Sequence, residues 1–219
     1  GAIVTALISR TGNAPHLVAR CWARSILVAS GVKVSVWGAA HIPKGRPCIF
    51  MANHASQFDI PVLLAFLKVQ FRWLAKAELF KIPILGRGMQ GCGYISIDRS
   101  DRKSAFESLK RAAQTIRNGS SVMIFPEGTR SVNGKIHDFK KGGFILALDA
   151  GVPIVPIVLH GTDRILPKGQ LRVRSGSVVL EVLPPIDTTP FGRKEKDRLI
   201  STIRSAMMQA HTRQRTVLP

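Results

Sequence analysis

Two polar stretches of this 219-residue chain combine residue types that can do chemistry. The first reads Asn53, His54, Ala55, Ser56, Gln57, Phe58, Asp59. The second, about seventy residues on, reads Phe125, Pro126, Glu127, Gly128, Thr129, Arg130. On a regular helix His54 and Asp59 would point to different faces, so a bend between them is needed to bring the carboxylate to the imidazole. Such a contact keeps one ring nitrogen protonated and leaves the other free to accept a proton, as a general base must. The same residues also suit a plainer arrangement. Asp59 caps a helix, or Ser56 does with Asp59 at the third helical position, and His54 is a loop histidine. In the second stretch Arg130 is a permanent cation matched to bidentate phosphate recognition. Gly128 lets backbone amides come close to an anion. Its plainer reading is a Pro/Gly turn carrying a surface arginine.

The flanking pattern says what positions these residues. Residues 47–52 form a short apolar run that predicts a buried strand, and residues 60–67 predict a helix with Pro61 in its first turn. Residues 120–125 predict a second buried strand, ended by Pro126. Both polar stretches therefore stand at carboxyl ends of strands, the edge where open α/β sheets bind ligands. Elsewhere, residues 32–37 alternate like an edge strand, and 71–75, 94–97 and 177–183 read as further strands. Residues 153–159 read as a strand whose Pro153 and Pro156 suit a sheet edge or an irregular strand better than a central one. Helices are expected over 83–90, over 101–117 with Ala105, Leu109, Ala112 and Ile116 on one face, over 144–150, and over 194–211 with Leu199, Ile203 and Met207. Residues 160–170 read as loop. Strands alternating with helices give an α/β sheet sandwiched by helices.

Residues 15–30 predict another helix, stopped by Gly31. Leu17, Val18, Cys21, Trp22, Val28 and Ala29 make a broad apolar surface, and Arg20 and Arg24 share another face. Such a helix suits a membrane interface, and equally a core-packed position with its arginines in water. Residues 2–8 are apolar and have the composition of the end of a longer hydrophobic segment. No run in the chain reaches the roughly eighteen apolar residues a spanning helix needs, and no cleavable signal pattern is visible.

Lys and Arg number 32 against 13 Asp and Glu, a formal charge of +19. That excess calls for a polyanionic partner: an anionic membrane, a phosphorylated substrate or a nucleic acid. The basic residues are spread along the chain, unlike a disordered nucleic-acid arm, and no interleaved basic and aromatic strand offers a base-stacking platform. A membrane surface and phosphorylated substrates are therefore expected, and nucleic acid is not. Cys21, Cys48 and Cys92 form no Cys-x-x-Cys pair, and the histidines show no metal-ligand spacing, so neither a disulfide framework nor a metal site is indicated. Reduced thiols fit the cytosolic side.

Taken with two further segments, the polar stretches resemble the motifs of the glycerophospholipid acyltransferase family, in particular its 1-acylglycerol-3-phosphate acyltransferase type. Asn53, His54 and Asp59 match an Asn-His-x4-Asp motif, and residues 125–130 match Phe-Pro-Glu-Gly-Thr-Arg without a change. Residues 93–99, with Tyr94 where Phe is frequent and Arg99 at the end, match a third motif. Residues 152–158 match a proline-bearing apolar fourth. The resemblance covers residues 36–183. It implies a mixed β-sheet flanked by helices, with residues 1–31 as an N-terminal membrane-associated segment and 32–219 as the acyltransferase domain.

The implied reaction moves an acyl chain from coenzyme A or acyl carrier protein, as co-substrate rather than resident cofactor, to the free hydroxyl of lysophosphatidic acid. Lyso-ornithine lipid or glycerol-3-phosphate are alternative acceptors. His54 and Asp59 would be catalytic, with backbone amides near His54 as the usual kind of oxyanion donor. Lys76, Arg99 and Arg130 would meet the acceptor's phosphate, with Gly128 and Thr129 in the same binding turn. Glu127 would organise this basic site or touch the acceptor. An apolar tunnel would set chain length, and the expected location is the cytosolic face of the inner membrane, peripheral or monotopic. With no Gly-x-Ser-x-Gly elbow in the chain, Ser56 is a poor covalent nucleophile and direct transfer is expected. A thioester hydrolase and a non-catalytic basic membrane-binding module are the remaining readings.

Overall fold

The computed structural model describes residues 11–98 and 102–215. Its seven strands form one sheet in the order β1-β7-β6-β2-β5-β3-β4. In chain order the elements are α1 (Asn13–Ala29), β1 (Val32–Trp37), β2 (Ile49–Ala52), α2 (Asp59–Phe66), β3 (Phe71–Lys76), α3 (Ala77–Phe80), α4 (Leu85–Gly91), β4 (Ile95–Ile97), α5 (Arg102–Arg117), β5 (Ser121–Ile124), α6 (Gly142–Ala150), β6 (Ile154–His160), α7 (Thr162–Ile165), β7 (Gly176–Val182) and α8 (Lys196–Arg215). Strands β2 to β6 run parallel to one another, and β7 turns antiparallel against β6 while pairing parallel with β1. The sheet is therefore mixed. The carboxyl ends of β2, β3, β4, β5 and β6 share one edge with the amino ends of β1 and β7.

Strand β2 is apolar at every position because it is buried on both faces. Phe50 and Ala52 enter the core shared with α1 and α2, and Ile49 and Met51 enter the one under α5, α6 and α8. The expected stripes of α5 and α8 pack into the second core through Ala112, Ile116, Leu199, Ile203 and Met207.

Three expectations are corrected. Strand β6 is central and buried throughout, not at an edge. Pro156 is tolerated there because the ladder to β7 begins only at Ile157. On that side Ile154 exchanges both its bonds with Ile186, and the carbonyl of Pro156 accepts from Leu183, so the missing donor falls in a gap of the ladder. The helix expected over 83–90 starts later, at Leu85. Ile84 takes a left-handed φ of 67°, and Gly86 sits so close to the Phe80 carbonyl that a Cβ would lie 2.0 Å from its oxygen. The stretch expected as loop after β6 contains the short helix α7.

Helix α1 shows two faces. His16, Ala23 and Leu27 are buried against the sheet, while Leu17, Trp22 and Val28 stay exposed. No helix among the described residues is long and apolar enough to cross a membrane. The start of α1 is fastened by Arg72 of β3, whose buried guanidinium donates to the Thr11 carbonyl and the Asn13 side chain. The Tyr94 hydroxyl lies 3.1 Å from His16 Nδ1, which gives the tyrosine of that motif a local reason.

Burial of His16, with Arg72 and Arg20 nearby, lowers its pKa from 6.5 to about 3. The unfolded chain therefore binds the extra proton first, between those two values. Stability is full above about pH 6.5 and declines as pH falls toward 3. In denaturant melts across this window, His16→Gln should show a shallower pH dependence than the parent chain. Equal slopes would mean that His16 does not carry the effect.

Candidate functional site

The polar stretch that follows β2 is fixed before any side chain reaches a ligand. Asn53 is buried and mimics backbone: its Nδ2 donates to the Leu159 carbonyl at 3.1 Å and its Oδ1 accepts from the Leu159 amide at 2.7 Å. This locks the end of β2 to β6. His54 is then gripped by its own backbone on both sides. Its N–H donates to Glu127 Oε1 at 2.8 Å, and its carbonyl accepts from the Ser131 amide at 2.8 Å.

The bend required by the spacing is present. His54 Nδ1 lies 2.7 Å from Asp59 Oδ2, and that oxygen also accepts from the amides of Ala55 at 2.8 Å and Ser56 at 2.9 Å. The three residues wrap around one carboxylate oxygen, and this wrapping is the bend. Asp59 is fully buried and is the first residue of α2, where the helix N-terminus favours negative charge. The carboxylate fixes the turn into the helix as well as holding the imidazole, but neither Asp59 nor Ser56 is the cap of α2: that position is Phe58, with no side-chain cap bond. Because Asp59 can only accept when ionised, Nδ1 carries the proton and Nε2 is the basic nitrogen. The His54 side chain retains 15% of its accessible surface, so this nitrogen has a route to a substrate.

Phe125 stacks on the His54 ring with centroids 3.9 Å apart and planes within 10°, and Trp73 stacks on Phe125 at 5.2 Å. Neither aromatic is signalled by residue spacing alone.

Ser56 is a strut. Its hydroxyl donates to the Leu166 carbonyl at 2.8 Å and accepts from the Phe58 amide at 3.1 Å. The two cysteines near the sheet are also unsuited, since burial pushes the Cys48 thiol up to about 11 and raises that of Cys92 as well. Among the amides near His54, the N–H groups of His54, Ala55, Ser56 and Phe58 are all used internally.

Glu127 organises the site and does so by an unexpected means. It is buried, with Oε1 on the His54 amide and Oε2 on the His137 amide at 2.9 Å. Both oxygens serve the backbone, as a clamp between the two segments. Burial raises its pKa, and the two amide bonds oppose that shift. Gly128 takes φ 75° and its amide closes the turn onto the Phe125 carbonyl at 3.1 Å. Thr129 is exposed and Arg130 is half-buried.

Lys168, which the sequence did not single out, donates from Nζ to the Arg130 carbonyl at 2.7 Å. This adds a cation beside Arg130. Lys76 is exposed at the carboxyl end of β3, on the same edge. Arg99 lies outside the described residues. On the α5 and α6 side of Phe125 is an apolar cavity of about 220 Å³, lined by Leu74, Ile97, Ala105, Leu109 and Ile124 with Lys140 at its wall.

Comparison with known proteins places this geometry among relatives. The acyltransferase family model matches residues 33–160. A chloroplastic 1-acyl-sn-glycerol-3-phosphate acyltransferase of Brassica napus is 39% identical over 70% of this chain and 44% of its own length. A protein of the same name from Borreliella burgdorferi is 33% identical over 82% of this chain and 72% of its own. The crystal structure of a 1-acyl-sn-glycerophosphate acyltransferase of Thermotoga maritima superposes with a TM-score of 0.81 at 29% identity, covering 95% of this chain and 85% of that one. The chain spans about half the length of the plant relatives it matches.

The Glu127 clamp makes a quantitative expectation. Glu127→Gln has one accepting oxygen for the two amides, so it should lower stability by about 1–3 kcal/mol in urea denaturation. An unchanged midpoint would mean that the two amide bonds contribute nothing.

Proposed function

This chain belongs to the acyltransferase family, and we propose on that footing that the whole protein acylates lysophosphatidic acid. It would transfer an acyl chain from an acyl thioester to the free sn-2 hydroxyl of 1-acyl-glycerol-3-phosphate, giving phosphatidic acid. The names of the relatives support the reaction class. The observation that carries the mechanism is the buried Asp59 carboxylate on His54 Nδ1 at 2.7 Å, with the ring edge still open to solvent.

In this reading His54 Nε2 takes the proton of the acceptor hydroxyl as its oxygen attacks the thioester carbonyl. The tetrahedral intermediate collapses, the carbon–sulfur bond breaks, and the departing thiolate recovers the proton from the imidazolium. Asp59 keeps the ring oriented and stabilises the imidazolium. Arg130, Lys168, Lys76 and Arg99 supply positive charge for the acceptor's phosphate, with Arg130 suited to two phosphate oxygens. The cavity beside Phe125 receives the acyl chain. The thioester, on coenzyme A or acyl carrier protein, is a co-substrate, and this chemistry needs no resident cofactor. The protein would work at the cytosolic face of the inner membrane, drawn there by its +19 charge and by the exposed face of α1.

The test is turnover of lysophosphatidic acid with an acyl thioester, the product identified by mass. Phosphatidic acid should form, and Asp59→Asn should lower its rate by on the order of a thousandfold while the chain stays folded. Free fatty acid released regardless of acceptor would mean a hydrolase. Near-normal turnover by Asp59→Asn would remove the pair from the mechanism.

A further inference from the structure

The segment between α7 and β7 is built as a rigid, cationic loop with an apolar tip. Residues 166–175 carry Lys168, Arg172 and Arg174 and no acidic side chain. The loop is closed at its base by the Arg174 amide on the Ile165 carbonyl at 2.9 Å, and it turns through Gly169, at φ 87°, where the Gln170 amide reaches the Pro167 carbonyl at 3.1 Å. It is bolted to the site at two points. Ser56 Oγ holds the Leu166 carbonyl at 2.8 Å, and Lys168 Nζ holds the Arg130 carbonyl at 2.7 Å. Beyond these ties the chain presents Leu171 to solvent at 98% exposure and Val173 at 42%. On the neighbouring loop Val132, next to the residue whose amide binds the His54 carbonyl, is 76% exposed.

Single exposed apolar residues are ordinary on protein surfaces. Here Leu171 and Val173 lie on one hydrogen-bonded loop, interleaved with Arg172 and Arg174, and Val132 lies on the loop whose Ser131 amide binds the His54 carbonyl. Apolar side chains flanked by cations fit one environment well: the boundary between anionic headgroups and acyl chains. We propose that residues 166–175 form a membrane-docking loop that inserts Leu171 into an anionic leaflet while Arg172 and Arg174 bind headgroups, independently of α1. The inference rests on the proposed lipid substrate for its choice of partner. Because Ser56 and Lys168 connect the loop to the His54 turn and to Arg130, docking sets the open edge of the site against the leaflet that carries the acceptor.

The experiment uses the full chain with vesicles of phosphatidylglycerol and phosphatidylcholine, and with vesicles of phosphatidylcholine alone. Leu171→Ser should weaken binding to the anionic vesicles about tenfold. Arg172→Ala with Arg174→Ala should weaken it by a similar or larger factor, at about fivefold per charge, with little change on phosphatidylcholine. Both variants should keep the parent's turnover of a short-chain lysophosphatidate dispersed below its micellar concentration, and lose turnover of the vesicle-borne acceptor in step with binding. Unchanged vesicle binding by Leu171→Ser would overturn insertion. So would an arginine effect reproduced equally on heparin without a Leu171 effect, which would make the loop a polyanion contact. Absence of turnover by the parent chain on every acceptor would sink the proposed function and leave the binding comparison able to decide the loop.

Discussion

A carboxylate buried without a cation must find its hydrogen bonds elsewhere, and in this fold that requirement shapes the site. Asp59 sits at the amino end of α2 with three N–H groups on one oxygen, two from the backbone and one from His54. Desolvating a charge is costly unless such bonds are made, so the turn from β2 into α2 and the orientation of the imidazole are stabilised by the same atom. Glu127 repeats the solution on the other side, spending both oxygens on amides. Two buried carboxylates, one after β2 and one after β5, thus hold a histidine between them. The adjacency of β2 and β5 makes this possible.

The site edge also carries positive charge, from Arg130, Lys168 and Lys76. That charge favours the approach of anionic substrate and of anionic lipid. The buried cation Arg72, on β3, has no such role. Burial lowers its pKa, and its donors go to the Phe71 carbonyl and to the Thr11 carbonyl and Asn13 side chain, the last two fixing the start of α1.

Much of this was legible in the sequence because the information is local. An apolar run at 47–52 reads as a buried strand, and Asn53, His54 and Asp59 stand where it must end. The stripes of α5 and α8 repeat at helical period and bury as expected. What could not be read depends on contacts between distant segments. Pro156 reads as an edge residue because the gap in the ladder that accommodates it is made by residues 183–186. Glu127 beside Arg130 reads as a partner for cations or substrate, yet it answers amides at positions 54 and 137. Lys168 lies in a stretch with no periodicity, and only the fold brings it to Arg130. On α1 the apolar residues that stand out in sequence, Leu17, Trp22 and Val28, are the exposed ones. The core instead takes His16, Ala23 and Leu27, a set with too little hydrophobicity to attract notice.

The central claim is that Asp59 fixes the proton of neutral His54 on Nδ1 and so leaves Nε2 as the base. Nitrogen-15 NMR of histidine-labelled chain, at a pH where the His54 ring is neutral, reads this directly. A protonated Nδ1 with a bare Nε2, lost in a variant lacking the Asp59 carboxylate, is the expected spectrum. A neutral ring carrying its proton on Nε2 would contradict the mechanism, because the nitrogen that faces the substrate could then accept nothing.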